Sequence, residues 1–327
     1  MRIAVTGSIA TDHLMTFPGR FAEQLIPGQL DHVSLSFLVD ELEVRRGGAA
    51  ANIAFGLGSL GLPALLVGAV GGDFAEYRIR LKERGVDTDA VRVSETRQTA
   101  RFVCVTDRDQ NQIAVFYAGA MREAREIDLR DVVRRAGDVD LVVVSPDDPE
   151  AMLVHTRQCR TLGVPFAADP SQQLARLDGP AVRELVQGAR WLFTNGYEAA
   201  LLLERTGWRR EDVLERVGAW VTTHGADGVR VERHGEDVLE VPAVPATAVA
   251  DPTGVGDAFR AGFLAAAGWG LGDRRAAQLG AALATLVVES VGTQEYVLEP
   301  ERLLERIAAA YGEADCRAIG AALSRSL

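Results

Sequence analysis

Short strand-forming runs alternate with longer helical patterns along most of this chain. Ile3–Thr6, Ala64–Val70, Leu141–Val144, Pro165–Ala168, Trp191–Thr194 and Trp220–Thr223 have the length and composition of buried strands. Between them, Ala49–Leu60, Phe74–Arg84, Glu150–Leu162 and Val182–Gly188 repeat apolar residues at helical spacing. Val213–Ala219 reads as a helix end, and Ala258–Ala267 and Ala276–Val288 as two long apolar helices. This alternation predicts an α/β fold with a mostly parallel sheet covered by helices on both faces.

Two segments break the rhythm. Leu14–Arg46 contains the strand-like pieces Val33–Phe37 and Leu42–Arg46. In Ala100–Tyr117, the β-rich runs Arg101–Thr106 and Gln112–Tyr117 flank the polar Asp107–Asn111, which is a hairpin signature. About residues 14–46 and 97–118 are therefore expected to form a small β lid inserted into one domain spanning 1–327. No linker, repeat or low-complexity tract divides the chain.

Charge and composition narrow the chemistry. With 327 residues, 47% hydrophobic and 25% charged, the chain has the balance of a soluble globular protein. A formal net charge of -11 argues against a nucleic-acid partner. It leaves room for a phosphorylated ligand, which a helix start can hold. Lys82 is the sole lysine and no G-x-x-x-x-G-K-[ST] run exists, so a P-loop is excluded. Cys104, Cys159 and Cys316 form no C-x-x-C, which suggests a reducing cytoplasm and no structural zinc. Ala276–Val288 falls short of a membrane span, and the apolar start meets Asp12 and His13 too soon for a signal peptide.

Four motifs carry candidate chemistry. Asp251-Pro252-Thr253-Gly254-Val255-Gly256-Asp257 runs straight into a helix. Glycines there leave backbone N–H groups open to an anion, the helix dipole adds positive potential, and Asp257 at the same N-terminus is expected to be ionised. A carboxylate beside an anion cradle suits a base that takes a hydroxyl proton during phosphoryl transfer. Arg46-Gly47-Gly48-Ala49-Ala50-Ala51-Asn52 opens an earlier helix, where Gly48 allows close approach and Asn52 offers a donor and an acceptor to a sugar hydroxyl. Asn195-Gly196-Tyr197-Glu198 follows a buried strand and could hold magnesium through water. Thr223-His224-Gly225-Ala226-Asp227-Gly228 could wrap a nucleotide. Taken singly, each also reads as an ordinary turn or helix cap.

In chain order, with the Gly48–Asn52 motif first, then Asn195–Glu198, then Thr223–Gly228 and Asp251–Asp257 last, the four resemble the ribokinase family of carbohydrate and nucleoside kinases across nearly the whole chain. The resemblance implies a three-layer α/β/α domain with a β lid, and ATP with magnesium as cofactors. It implies Asp257 as base, the N–H groups of Gly254, Val255 and Gly256 as anion hole, Asn195 and Glu198 on the magnesium side, and Thr223, Gly225 and Gly228 around the nucleotide. Asp12, Gly48 and Asn52 would hold the ribose. Pro252 stands where the family often has Thr. Val5–Met15, Val33–Asp40, Ala167–Leu177 and Asp251–Phe263 look like actinobacterial adenosine kinases. That likeness implies nucleoside contacts from Ser8, Ser36, Gln172, Gln173 and Arg176, with Phe102 and Phe116 sandwiching the adenine. One allowed hairpin register independently sets Phe102 opposite Phe116, as a core-packing pair would also be. The resemblance further implies a potassium ion at Asp251 and a homodimer through the lid. A free sugar or another nucleoside is the alternative acceptor.

Overall fold

The computed structural model describes residues 1–25, 30–32 and 34–327. Its strands, in chain order, are β1 (Ile3–Thr6), β2 (Ala10–Thr16), β3 (Glu41–Gly47), β4 (Ala64–Val70), β5 (Val86–Asp87), β6 (Val91–Val93) and β7 (Ala100–Thr106). There follow β8 (Gln112–Tyr117), β9 (Leu141–Val144), β10 (Phe166–Ala168), β11 (Trp191–Asn195), β12 (Trp220–Thr223), β13 (Val229–Glu232) and β14 (Leu239–Val241). The large sheet has the order β14-β13-β12-β11-β10-β9-β1-β4-β5, with β6 also on β4. It is parallel from β12 through β5, and β13 and β14 extend it antiparallel.

Period-two alternation splits each central strand between two cores. Ile3, Val5, Leu141 and Val143 face one, and Ala4, Val142 and Val144 the other. Each fully buried Leu, Ile or Val side chain contributes roughly 1.5–3 kcal/mol. The helices Ala49–Ser59, Val255–Gly268 and Gly272–Val288 cover the first face, and Pro149–Leu162, Gly179–Val186 and Gly196–Thr206 the second. All the parallel strands end at one edge of the sheet, where ligands bind in open α/β folds.

A separate four-stranded sheet, β3-β2-β7-β8, stands beside that edge. Its first strand begins at Ala10, ahead of the expected break at Leu14, because β2 pairs with β3 and β7 along its full length. The expected strand Val33–Phe37 is absent over residues 34–37, and Val33 lies outside the described residues. The apolar side chain of Phe37 is instead used in packing: its ring lies 5.0 Å from both Phe17 and Phe21. The expected helix end at Val213–Ala219 is a short helix, Arg210–Leu214, followed by a turn. No helix among the described residues is long and apolar enough to cross a membrane.

Candidate active site

Two glycine-started helices meet in the floor of a cleft between the sheets. Gly48 precedes the Ala49–Ser59 helix with φ +98°, and a Cβ there would lie 2.5 Å from the Ser8 carbonyl oxygen. Gly254 precedes the Val255–Gly268 helix with φ +75°, and a Cβ there would lie 2.7 Å from Thr293 Cγ2. Both conformations exclude ordinary side chains. No side chain caps the Gly254 start, so the first N–H groups of that helix remain available.

Asp257 occupies the third position of that helix and is tied to the other one. Asn52 Nδ2 donates to Asp257 Oδ2 at 2.9 Å. Asn52 Oδ1 accepts from Thr293 Oγ1 at 2.9 Å and from Gln294 Nε2 at 2.8 Å. These donors fix which way the Asn52 amide points. The residue expected to hold the sugar thus also orients the expected base. Sequence position alone predicts an ionised Asp257, but burial raises its pKa, opposed by the Arg260 guanidinium and the Asn52 hydrogen bond and aided by Glu198.

The cleft has a volume of about 2060 Å³, more than one small ligand needs. Ser8, Asp12, Gly48 and Asn52 line one stretch, and Gly254, Gly256 and Asp257 the floor. Asn195, Glu198, Thr223 and Gly225 line another. Phe102 and Phe116 line the cleft from the lid sheet, and Gln172, Gln173 and Arg176 from the segment after β10. Three expected residues do not line it. Val255 contributes backbone only to the helix start, and Gly228 turns the chain into β13 with φ +96°. Ser36 is exposed on the irregular segment before β3.

Burial raises Asp12 to about 6, Asp251 adds to the rise, and Arg45 opposes both. Phe102 and Phe116 are direct cross-strand partners. Gln173 is more constrained than a free amide: Nε2 donates to the Asp147 carbonyl at 2.8 Å, and Oε1 has no partner. One N–H of this amide is thus committed, and its Oε1 is itself buried. Asn195 and Glu198 form a capping box, with Glu198 N–H donating to Asn195 Oδ1 at 2.8 Å and Asn195 N–H to Glu198 Oε2 at 2.7 Å. Ser171 donates to Glu198 Oε1 at 3.2 Å. Among the described residues no group of three or more His, Cys, Asp or Glu is set to hold a metal.

Asp251 does not fit the expected potassium. Its Oδ1 accepts from the Thr253 N–H at 2.9 Å, its Oδ2 from the Gly292 N–H at 3.0 Å, and Arg45 Nη1 stands 3.4 Å away. A guanidinium from the lid strand β3 already balances this carboxylate, so the donor set is that of an ion pair. Sequence reasoning missed Arg45, Arg260, Asp169, Thr293 and Gln294. Arg260 was the legible one, three residues past Asp257 on the same helix face.

Comparison with known proteins places the chain in a family. The model of the pfkB family of carbohydrate kinases matches residues 6–300. The nucleoside kinase of Methanocaldococcus jannaschii is 31% identical over 263 residues, covering 80% of this chain and 85% of that one. The ATP-dependent ribose-1-phosphate kinase of Halopiger xanaduensis is 36% identical over 225 residues, covering 67% and 72%. The structure of Burkholderia thailandensis nucleoside kinase in complex with ADP-inosine superposes with TM-score 0.80 at 36% identity, over 95% of this chain and 96% of the other. With a ribokinase-like fold and a family match across most of its length, this chain belongs to the pfkB family of carbohydrate kinases.

Proposed function

We propose that this chain is an adenosine kinase, which transfers the γ-phosphoryl group of ATP to the 5′-hydroxyl of adenosine. Asp257 accepts the hydroxyl proton. The open helix start at Gly254, Val255 and Gly256 stabilises the charge on the transferring group. Asn52 holds Asp257 in line, and Asp12 and Gly48 border the ribose. Thr223 and Gly225 flank the nucleotide. Magnesium, held through water by Asn195 and Glu198, supplies charge neutralisation on the ATP phosphates. Closure of the lid, the small sheet with its preceding segment, excludes the water that would compete as acceptor.

The observation that carries the acceptor class is the pairing of Phe102 with Phe116 on the cleft wall. A purine has faces to stack on phenyl rings and a free sugar has none. Each aromatic contact is worth about 1–3 kcal/mol. Phe102→Ala and Phe116→Ala should therefore each raise the adenosine KM by roughly 5- to 150-fold while leaving the ATP KM within about twofold. Unchanged adenosine KM in both variants removes the stacking role.

A sugar or sugar-phosphate acceptor is the second reading. Arg122 and Arg176 line the cleft and have no ion-pair partner among the described residues, which suits an anionic substituent. The outer lid face bears on assembly: Leu42, Val44, Ile113 and Val115 are between 44% and 63% exposed. A second copy of the chain covers this face in the proposed homodimer. Sedimentation velocity tests it, and a monomer at micromolar concentration would refute it.

A further inference from the structure

Arg260 lies in the cleft floor where few proteins would leave a charge. It is only 8% exposed, and Nη2 donates at 2.6 Å to Asp169 Oδ1, itself fully buried after β10. Arg260 Nε and Asp169 Oδ2 have no partner. Burying such a pair is expensive and seldom improves stability over apolar residues. The guanidinium also faces the carboxylates of Asp257 and Glu198.

Its placement depends on the helix start. The side chain runs back toward the N-terminus, as helical side chains do, and Arg260 Nη1 would lie 2.6 Å from a Cβ on Gly256. Gly256 has no left-handed backbone to explain it. A side chain at 256 would crowd the guanidinium at the edge of the anion cradle.

We propose that Arg260 is a positioning residue for phosphoryl transfer, a fixed cation beside the helix start that keeps Asp257 in its charged, proton-accepting form. The groups facing Asp257 are Asn52 from the first glycine-started helix, Arg260 from its own, Glu198 from the capped helix and Asp169 from the end of β10. Arg260 is the one cation among them, set against two further carboxylates. Burial raises Asp257 and Arg260 is the strongest opposing influence. Removing Arg260 therefore favours the protonated base, and removing Asp169 favours the ionised one.

This role rests on Asp257 being the base. The experiment follows kcat/KM for adenosine against pH in the full chain for Arg260→Met, Arg260→Lys and Asp169→Asn, with Asp257→Asn alongside. Arg260→Met should lose about 10²-fold at pH 7, with its acid limb raised by about one pH unit or more. Arg260→Lys should keep the limb near the parent's, and Asp169→Asn should move it down. Thermal unfolding reports the folded state of each, and should Arg260→Met not fold, the downward shift in Asp169→Asn beside an unmoved limb in Arg260→Lys still tests the role. Acid limbs at the parent position in all folded variants overturn the role and leave a structural pair. Full turnover in Asp257→Asn overturns the base itself. An inactive Asp257→Asn with an unshifted Arg260→Met overturns only the part played by Arg260.

Discussion

Two of the helix starts that face this cleft are built in opposite ways. The Gly196–Thr206 helix is closed by its own side chains, with Asn195 and Glu198 capping reciprocally. The Val255–Gly268 helix is left open behind a left-handed glycine with no side-chain cap. A capping box is worth about 1 kcal/mol of stability, and the second helix forgoes it. What it keeps is a set of free N–H groups under a carboxylate. The closed start spends its oxygens on its own cap, with Ser171 on the remaining Glu198 oxygen, while the open one leaves donors free. In the proposed function the open start would take the transferring phosphate and the closed one a hydrated magnesium.

The largest expected effect lies at the open start. Asp257→Asn keeps the shape of the side chain and should lower turnover by roughly 10²–10⁴, the loss expected for a positioned base. Acceptor binding, measured by calorimetry, should persist. Near-normal turnover would remove Asp257 from the mechanism. Gly254→Ala should cost less. It forces an alanine into φ +75° and a Cβ against Thr293, a strain of roughly 1–2 kcal/mol. Displaced cradle donors should lower turnover by about 10²-fold. Parental kinetics in a stable Gly254→Ala variant would show that the open start is not used. Asn195→Ala, at the closed start, should lower stability by about 1 kcal/mol in denaturant unfolding and raise the magnesium concentration needed for half-maximal rate. A rate loss as large as that of Gly254→Ala would erase the contrast between the two starts.

Much of this contrast was legible in the sequence, because it lies in local motifs. Gly254 and Asp257, or Asn195 and Glu198, are separated by one helical turn, so their spacing alone sets them together. The buried parallel strands were equally plain as short apolar runs. β2 was missed because Thr11, Asp12 and His13 interrupt its apolar pattern, the cost of lining a polar cleft. The terminal helices Pro300–Tyr311 and Glu313–Ser326 were passed over for lack of a motif. Contacts across long separations were invisible: Arg260 with Asp169, Asn52 with Thr293 and Gln294, and Arg45 with Asp251. The last of these bears on the expected potassium, since Arg45 stands beside the carboxylate named for it.

The identity of the acceptor is the claim on which the account turns, and one assay addresses it. ATP consumption is followed with adenosine, inosine, guanosine, ribose, fructose and ribose 1-phosphate at equal concentration. Adenosine should be the best acceptor, ahead of ribose and fructose by at least about 10²-fold, consistent with stacking on both phenyl rings. A higher rate with ribose 1-phosphate or a free sugar would contradict the account and hand the cleft to the sugar-kinase reading.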